Sequence, residues 1–165
     1  MKVDIEGAVR TYGDMVYRLA LVNTKNKTEA EDIFQEVFLK LIRYQESIIS
    51  EEHLKAWLIR VTVNQSHTHT NSFWNKFTEG FDGLVDPKDE KVEMEFSYKE
   101  SVSDLTRVVM GLPRKYREAI HLFYYEELSV KEICETLGEN ESTVKTRLAR
   151  GRKLIENRMG EAYEL

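Results

Sequence analysis

The stretch that decides the fold lies at residues 112–155 and reads LPRKYREAIHLFYYEELSVKEICETLGENESTVKTRLARGRKLI. Ser129 can cap a first helix, and Glu132, three residues further on, completes the capping-box pattern. Gly138 is placed to end that helix in a left-handed conformation. Ser142 can then cap a second, basic helix. Two helices joined by a tight turn predict a helix-turn-helix, the motif that presents side chains to the major groove of DNA.

The second helix of this motif is expected to run to about Arg158 and to separate into two faces, at about 100° per residue. The apolar side should face the core and consists of Val144, Leu148, Gly151 and Ile155. The opposite side is polar, flanked by Thr143 and Lys145, and consists of Ser142, Thr146, Ala149, Arg150 and Lys153. Between residues 142 and 158 the helix carries six Lys or Arg and one Glu, although the whole chain is acidic. This basic face favours DNA binding over simple solvation.

Length and composition place the chain in a broad class. Its 165 residues can form one domain or two small ones, and 41% apolar with 32% charged residues is typical of a soluble globular protein. No apolar run approaches the length of a membrane span, and the N-terminus lacks the apolar stretch of a signal peptide. The lone Cys134 excludes an internal disulfide framework and is expected to be a small core residue. These features predict a cytoplasmic protein.

The charge is distributed unevenly along the chain. The formal net charge is −5, and all of it resides in residues 1–100, which hold 18 acidic and 13 basic side chains. Residues 101–165 hold 11 of each. Because the neutralisation of phosphates supplies most non-specific affinity for DNA, an acidic chain is expected to bind DNA poorly alone. A larger, more basic partner would supply the missing attraction.

The N-terminal part, about residues 4–76, shows helical periodicity. Thr28 is predicted to cap a helix, with Glu31 at the capping-box position. The expected buried stripe of that helix consists of Ala30, Ile33, Phe34, Val37, Phe38, Leu41 and Ile42. A further helix is predicted over residues 53–73, with an inward face made of Leu54, Trp57, Leu58, Val61 and Gln65.

The middle of the chain, about residues 76–98, is rich in turn formers and in acidic residues, which predicts a linker. A second helical block follows and runs to about Glu161. Within it Gly111 is expected to end one helix, and Pro113 suits the first turn of the next. The sequence therefore predicts an all-α fold with two small helical domains joined by a linker, the C-terminal one a helix-turn-helix.

The order of these motifs resembles that of bacterial RNA polymerase sigma factors, in particular the small extracytoplasmic-function (ECF) group. The C-terminal match is the stretch quoted above. The N-terminal match covers about residues 12–64 and includes YGDMVYRLA, AEDIFQEVFLKL and HLKAWLIRVTVNQ. The resemblance implies a region 2-like domain at residues 1–76, for core polymerase and the −10 promoter element. It also implies a linker at residues 77–98 and a region 4-like domain at residues 99–165, for the −35 element.

The resemblance also implies roles for individual residues of the N-terminal domain. The helix containing AEDIFQEVF would contact core RNA polymerase through Asp32, Gln35 and Glu36. The following long helix would open and read the −10 element of promoter DNA, with Arg60 and Asn64 in the positions typical of the family. An asparagine can pair with base edges through both its donor and its acceptor.

In the C-terminal domain, the basic helix is similar to the family's reader of the −35 element. The residues implied to contact DNA are Ser142, Thr143, Lys145, Thr146, Arg147, Arg150 and Lys153. Lys145, Thr146 and Arg150 are the expected base readers, whereas Arg147 and Lys153 are expected to contact phosphates.

One segment departs from the family pattern. Where the family usually carries a cluster of Lys and Arg after the −10 helix, residues 65–72 read QSHTHTNS, with no fixed positive charge before Lys76. His67 and His69 would substitute for that cluster only when protonated, which requires that DNA raise their pKa.

Two other functions compete with a promoter-specificity subunit. A stand-alone helix-turn-helix regulator would explain the C-terminal half, but not the acidic balance or the AEDIFQEVF segment. An enzyme or metal protein would require a site such as His67-x-His69, yet residues two apart do not share a helix face. No nucleophile, phosphate-binding or metal motif is present. The expected partners are therefore core RNA polymerase, promoter DNA and, by resemblance, an anti-sigma protein; no cofactor, metal or catalytic activity is expected.

Overall fold

The computed structural model describes residues 1–77 and 103–163, with side chains described up to residue 70 and from residue 103 to residue 160. In these residues the regular structure is helical throughout, and they contain no strand. The chain divides into two compact units, Met1–Gly80 and Phe81–Leu165. The predicted all-α fold with two helical regions is therefore confirmed. The linker predicted at residues 77–98 lies, beyond Phe77, outside the described residues.

No helix in the described part of the chain has both the length and the apolar character that crossing a membrane would require.

Three mutually packed helices form the first unit, with a short 3-10 turn at Gln45–Ser47 between the second and the third. They are α1 (Ile5–Thr24), α2 (Lys27–Tyr44) and α3 (Glu51–Phe77). Fully buried aliphatic side chains from all three make the core: Val16, Leu19, Ile33, Val37, Leu41, Leu58 and Val63. Burial of one apolar stripe from each helix is what stabilises such a bundle.

The start and two core positions of α2 differ from the prediction, because Phe34 is only half-buried and Ile42 is exposed. The N-cap is Asn26, whose Oδ1 accepts a hydrogen bond from the backbone N–H of Glu29 at 3.0 Å. The prediction of Thr28 as the cap was wrong, since the helix begins before it. Ile42 was also wrongly assigned to the core, because it lies on the solvent side of Leu41 and is 48% exposed.

The buried face of α3 is rotated from the predicted one. It consists of Leu54, Leu58, Ile59, Thr62, Val63, Ser66 and Thr70, while Trp57, Val61 and Gln65 are only half-buried. The buried hydroxyls of α3 each donate to the carbonyl four residues earlier, at 2.6–2.8 Å. Because this bond satisfies the hydroxyl within its own helix, Thr and Ser fit a core-facing position that a polarity pattern assigns to solvent.

Four helices form the described part of the second unit: α4 (Asp104–Met110), α5 (Arg114–Ile120), α6 (Val130–Leu137) and α7 (Glu141–Tyr163). A π-helical turn, His121–Tyr125, continues α5. Ser129 and Glu132 make both bonds of the predicted capping box, at 3.1 and 2.9 Å, and Gly138 ends α6 with a φ of 66°. The helix-turn-helix of α6 and α7 is therefore formed as predicted.

The start of α7 is not capped by Ser142, so that prediction was wrong. Asn140 is the capping residue: its Oδ1 accepts from the backbone N–H of Thr143 at 2.8 Å, and its carbonyl accepts from Val144 at 3.1 Å. α7 also continues to Tyr163, beyond the predicted end.

Gly151, in the middle of α7, permits the closest approach between α7 and α5. A Cβ at this position would lie 2.8 Å from Cγ1 of Ile120, closer than side-chain packing allows. The glycine therefore allows the buried face of α7 to pack closely against α5.

Candidate functional site

α7 has one exposed polar face backed by the core. The exposed residues are Ser142, Lys145, Thr146, Arg150 and Lys153, and the half-buried ones are Thr143 and Arg147. Val144, Leu148 and Gly151 are buried on the reverse side, as the sequence predicted, whereas Ile155, expected on the same side, is only half-buried. These seven polar residues form one basic surface, called here the α7 ridge. Their contacts with DNA remain a prediction.

Two cations of the α7 ridge are paired with acidic side chains at the start of the helix. Lys145 Nζ lies 2.7 Å from Glu141 Oε1, and Arg147 Nη2 lies 3.1 Å from Glu139 Oε1. The hydrogen bond and the opposite charge raise the pKa of Lys145 and lower that of Glu141. Both members of the first pair are exposed, so solvent screens it strongly. A DNA phosphate or base would have to displace a carboxylate from Lys145.

Neither ion pair was predicted from the sequence, because the number of cations on a helix does not indicate which carboxylates lie beside them. For Glu141 and Lys145 the sequence does contain an indication, because opposite charges four residues apart on a helix lie on the same face and can pair. Arg147 and Glu139 are joined across the start of the helix, and their separation gives no such signal.

Two arginines of α7 bond to tyrosines that precede the helix-turn-helix, Tyr116 in α5 and Tyr124 in the π-helical turn. A hydrogen bond with Arg150 lowers the pKa of the Tyr116 hydroxyl, and the charge of Lys115 acts in the same direction. Arg152 Nη1 donates to the hydroxyl of Tyr124 at 2.8 Å. Arg152, which was not among the predicted residues, adds a further exposed cation beside the α7 ridge.

In the first unit, the three residues assigned to polymerase contact lie on one face of α2. Asp32 and Gln35 are exposed, and the side chain of Glu36 is 42% exposed. Their spacing of three and four residues places them side by side. We call these three residues the α2 surface.

Arg60 and Asn64, assigned to the −10 element, are exposed and lie one turn apart on α3. Trp57, expected in the core, is half-buried one turn before them. The structure therefore brings a cation and an amide together on one open face of α3, while their binding to DNA remains a prediction.

Polar side chains connect α2 to α3. Lys40 Nζ donates to Gln65 Oε1 at 3.0 Å, and Gln65 Nε2 donates to Glu36 Oε2 at 2.9 Å. These bonds join residues 25 and 29 positions apart in sequence, so no local pattern could have indicated them. Glu36, predicted to contact core polymerase, is thus also bonded within the chain.

His69 lies between two carboxylates of α2. Its Nδ1 is 3.1 Å from Glu29 Oε2, and its Nε2 is 2.9 Å from Glu36 Oε2. Burial of the ring lowers the pKa of His69, but the hydrogen bonds and charges of Glu36 and Glu29 outweigh burial and raise that pKa overall. His69 is therefore directed at carboxylates of its own chain, which argues against a role in replacing the missing basic cluster on DNA.

The described residues contain no group of three or more His, Cys, Asp or Glu side chains arranged to hold a metal ion. The ring nitrogens of His69 both face carboxylates, so the His67-x-His69 pair does not form the core of such a site there.

Two family models match the chain, one to each unit. The model described as Sigma-70 region 2 matches residues 8–72, and the model described as Sigma-70, region 4 matches residues 103–155. The first match contains the α2 surface and α3 up to residue 72, and the second contains the helix-turn-helix with the α7 ridge.

Relatives of known name extend the likeness over nearly the whole chain. RNA polymerase sigma factor SigV of Bacillus subtilis is 34% identical over 84% of this chain and 81% of its own length. ECF RNA polymerase sigma factor SigW of the same organism is 31% identical over 92% of this chain and 86% of its own length. The sigma factor RpoE of Bartonella quintana, solved with the anti-sigma factor NepR, matches 93% of this chain and 95% of its own, with a TM-score of 0.71 and 20% identity. At that identity the structural match shows the fold alone.

Proposed function

The chain belongs to the ECF group of RNA polymerase sigma factors, the promoter-specificity subunits of that enzyme, and from this premise we propose how its two units divide the task. The first unit binds core RNA polymerase and the −10 element, and the second binds the −35 element. Both tasks are binding, so the chain itself catalyses no reaction and uses no cofactor. It acts in the cytoplasm, where core polymerase meets DNA.

The observation that carries the assignment of the second unit is the α7 ridge. Lys145, Thr146 and Arg150 are exposed on the second helix of a helix-turn-helix, with Thr146 and Arg150 on the side opposite the buried Val144 and Leu148 and Lys145 on its flank. Arginine can bond to guanine through two donors, and Lys, Thr and Ser can each reach base edges. Arg147 and Lys153 lie beside these residues and would hold the phosphate backbone, which positions the helix without specifying a sequence.

For the −10 element we propose Arg60 and Asn64 of α3. An exposed amide can bond to a base edge that has left the stack, while a neighbouring cation can hold the backbone of the opened strand. Since residues 65–72 supply no fixed positive charge, this unit should depend on core polymerase to hold the opened strand.

For core polymerase we propose the α2 surface. Asp32 and Gln35 provide a clean test because both are exposed, whereas Glu36 also bonds to α3. The double variant Asp32→Ala/Gln35→Ala should bind core polymerase several-fold more weakly, with a change in unfolding free energy within about 0.5 kcal/mol. Binding to labelled core enzyme and urea unfolding measure the two quantities.

The matched control is Glu52→Ala/Lys55→Ala, which removes two exposed charged side chains from the first turns of α3 in the same unit. This control should bind core polymerase as the wild type does. Equal affinity of wild type and the Asp32→Ala/Gln35→Ala variant would refute the assignment of the α2 surface.

An anti-sigma protein is a further proposed partner, as for the Bartonella quintana relative, which was solved with one. A protein that covers the α2 surface or the α7 ridge would prevent assembly with polymerase or binding to the promoter. The candidate is the product of the reading frame beside this gene. Added in purified form, it should reduce binding of the chain to core polymerase, and an unchanged affinity would exclude that protein.

A further inference from the structure

His69 makes two bonds that only its charged form can donate together. A neutral imidazole has one N–H and one acceptor nitrogen, whereas the imidazolium donates from both nitrogens. Here each ring nitrogen lies within hydrogen-bonding distance of a carboxylate oxygen, on Glu29 at 3.1 Å and on Glu36 at 2.9 Å. Between two ionised carboxylates, a neutral ring would leave one nitrogen lone pair facing a negatively charged oxygen. The geometry therefore favours the imidazolium.

Among the residues whose side chains the structure describes, few polar groups face the ring of His69. From α2, the carboxylates of Glu29 and Glu36 face it directly, and Lys40 reaches the same area through Gln65. From α3 itself, Gln65 shares the Oε2 atom of Glu36 with the ring. α1 also packs on α3, but the charges that act on His69 are those of the two glutamates and include none from α1.

The arrangement leaves half of the Glu36 carboxylate available. Both donors, Gln65 Nε2 and His69 Nε2, bond to Oε2, and Oε1 makes no hydrogen bond within the described residues. The Glu36 side chain is still 42% exposed. Its second oxygen is thus held at a fixed place next to Asp32 and Gln35, where a donor from outside the chain can reach it.

We infer that His69, as a cation, is a positioning residue for polymerase binding: it holds Glu36 in place on the α2 surface and ties α2 to α3, so that affinity for core polymerase depends on its protonation. This inference rests on the proposed role of the α2 surface. An ordered carboxylate binds more tightly than a freely rotating one, because the entropy of ordering it has already been lost.

The direction of the pH dependence follows from the two carboxylates. Because they raise the pKa of His69 above its ordinary value of 6.5, the contribution is fully present below that value. It is lost as the pH rises through the raised pKa of the folded protein. Affinity for core polymerase should therefore fall as the solution is made alkaline through that range.

The test measures affinity for core polymerase as a function of pH, between about pH 6 and about pH 9, for the full chain and three variants, and compares the profile of each variant with that of wild type. His69→Gln removes the titrating group and should bind several-fold more weakly at low pH, with a flat profile. His69→Arg keeps a permanent charge with several donors and should stay tight with a flat profile. Glu29→Gln removes one carboxylate and should move the midpoint of the profile to lower pH.

The matched control is His53→Gln, on the same helix but outside this cluster, where His53 accepts a hydrogen bond from the backbone of Ile49. It should keep the wild-type profile. If His69→Gln fails to fold by circular dichroism, His69→Arg decides: a wild-type slope in that variant overturns the inference. A wild-type slope in His69→Gln overturns it as well.

Failure of this inference can be distinguished from failure of the proposed function. If Asp32→Ala/Gln35→Ala weakens binding while the His69 variants keep the wild-type profile, the α2 surface stands and the positioning role of His69 is wrong. If the double variant also binds as wild type, the α2 surface itself is wrong and the inference falls with it.

Discussion

The polar contacts around Glu36 on α2 and those at the start of α7 differ in the sequence distance that they span, although further along α7 the bond of Arg152 to Tyr124 spans 28 positions. Between α2 and α3, the bonds of Lys40 to Gln65 and of His69 to Glu29 join residues 25 and 40 positions apart. Around the start of α7, Lys145 pairs with Glu141 four residues away, and Arg147 pairs with Glu139 eight residues away. The first set depends on how α2 packs against α3, whereas the second is built within one helix and the turn before it.

The α2 surface therefore depends on the packing of the folded bundle. The start of the α7 ridge depends mainly on the local sequence of the helix-turn-helix. On α2, Glu36 is positioned by side chains of another helix. On α7, the exposed and buried faces follow from helical spacing alone. Disrupting the first unit should therefore affect its functional surface through packing, while changes on α7 should act through individual side chains.

The largest effect is expected from the core side of α2. Phe38 is 6% exposed and its ring lies 4.9 Å from that of Phe34. Phe38→Ala should lower the unfolding free energy by about 3–5 kcal/mol, because truncating a buried aromatic leaves a cavity. Urea unfolding of the full chain measures this loss, and core-polymerase binding should decline with it.

The neighbouring residue provides the control for this prediction. Leu39 is 57% exposed, so Leu39→Ala should change the unfolding free energy by no more than about 0.5 kcal/mol. Similar losses for the two variants would mean that α2 does not pack with the face described here.

A smaller and more selective effect is expected on α7. If Arg150 reads a base, Arg150→Ala should cost about 1–3 kcal/mol at the preferred promoter and relax the preference at one −35 position. If Lys153 meets only a phosphate, Lys153→Ala should weaken all promoters about equally and lower the salt dependence. Transcription by the polymerase complex across a library of −35 variants measures both. An unchanged preference in Arg150→Ala, Lys145→Ala and Thr146→Ala would show that α7 is not the reader.

The smallest effect concerns the ion pair at the start of α7. Glu141→Gln should free Lys145 and remove a charge that repels DNA, so binding to −35 DNA by the polymerase complex should strengthen slightly, most at low salt. Glu156→Gln makes the same charge change about 22 Å further along the helix and should have less effect. Weaker binding by Glu141→Gln would indicate that Glu141 itself contacts a base, since a carboxylate can accept from cytosine.

The sequence predicted the local features of the fold more successfully than the contacts between residues distant in sequence. The capping box of Ser129 and Glu132, the left-handed Gly138 and the burial of Val144, Leu148 and Gly151 were predicted correctly, because each depends on residues within a few positions. The caps at Thr28 and Ser142 were wrong, since in each case an asparagine two residues earlier already satisfies the first free N–H groups. A sequence offers several capping residues close together, and packing selects among them.

The wrong predictions that affect the candidate polymerase-binding site concern which residues of α3 face α2. Thr62 and Ser66 are buried because their hydroxyls bond within α3, and this rotates the inward face from the one that hydrophobicity suggested. Gln65 and His69 then come to lie against α2, where they bond to Glu36. No feature of the sequence between residues 29 and 69 indicates that contact, which appears only when the helices are assembled.

Binding of promoter DNA by the chain with and without core RNA polymerase tests the central claim most directly. The chain carries a net charge of −5, and Lys145 and Arg147 are already paired with carboxylates, so the free protein has little attraction for a polyanion. At physiological salt the free chain should bind promoter and random DNA equally weakly, and the complex with core polymerase should bind the promoter tightly and selectively. Tight, sequence-specific binding by the free chain would contradict the account and favour a stand-alone regulator.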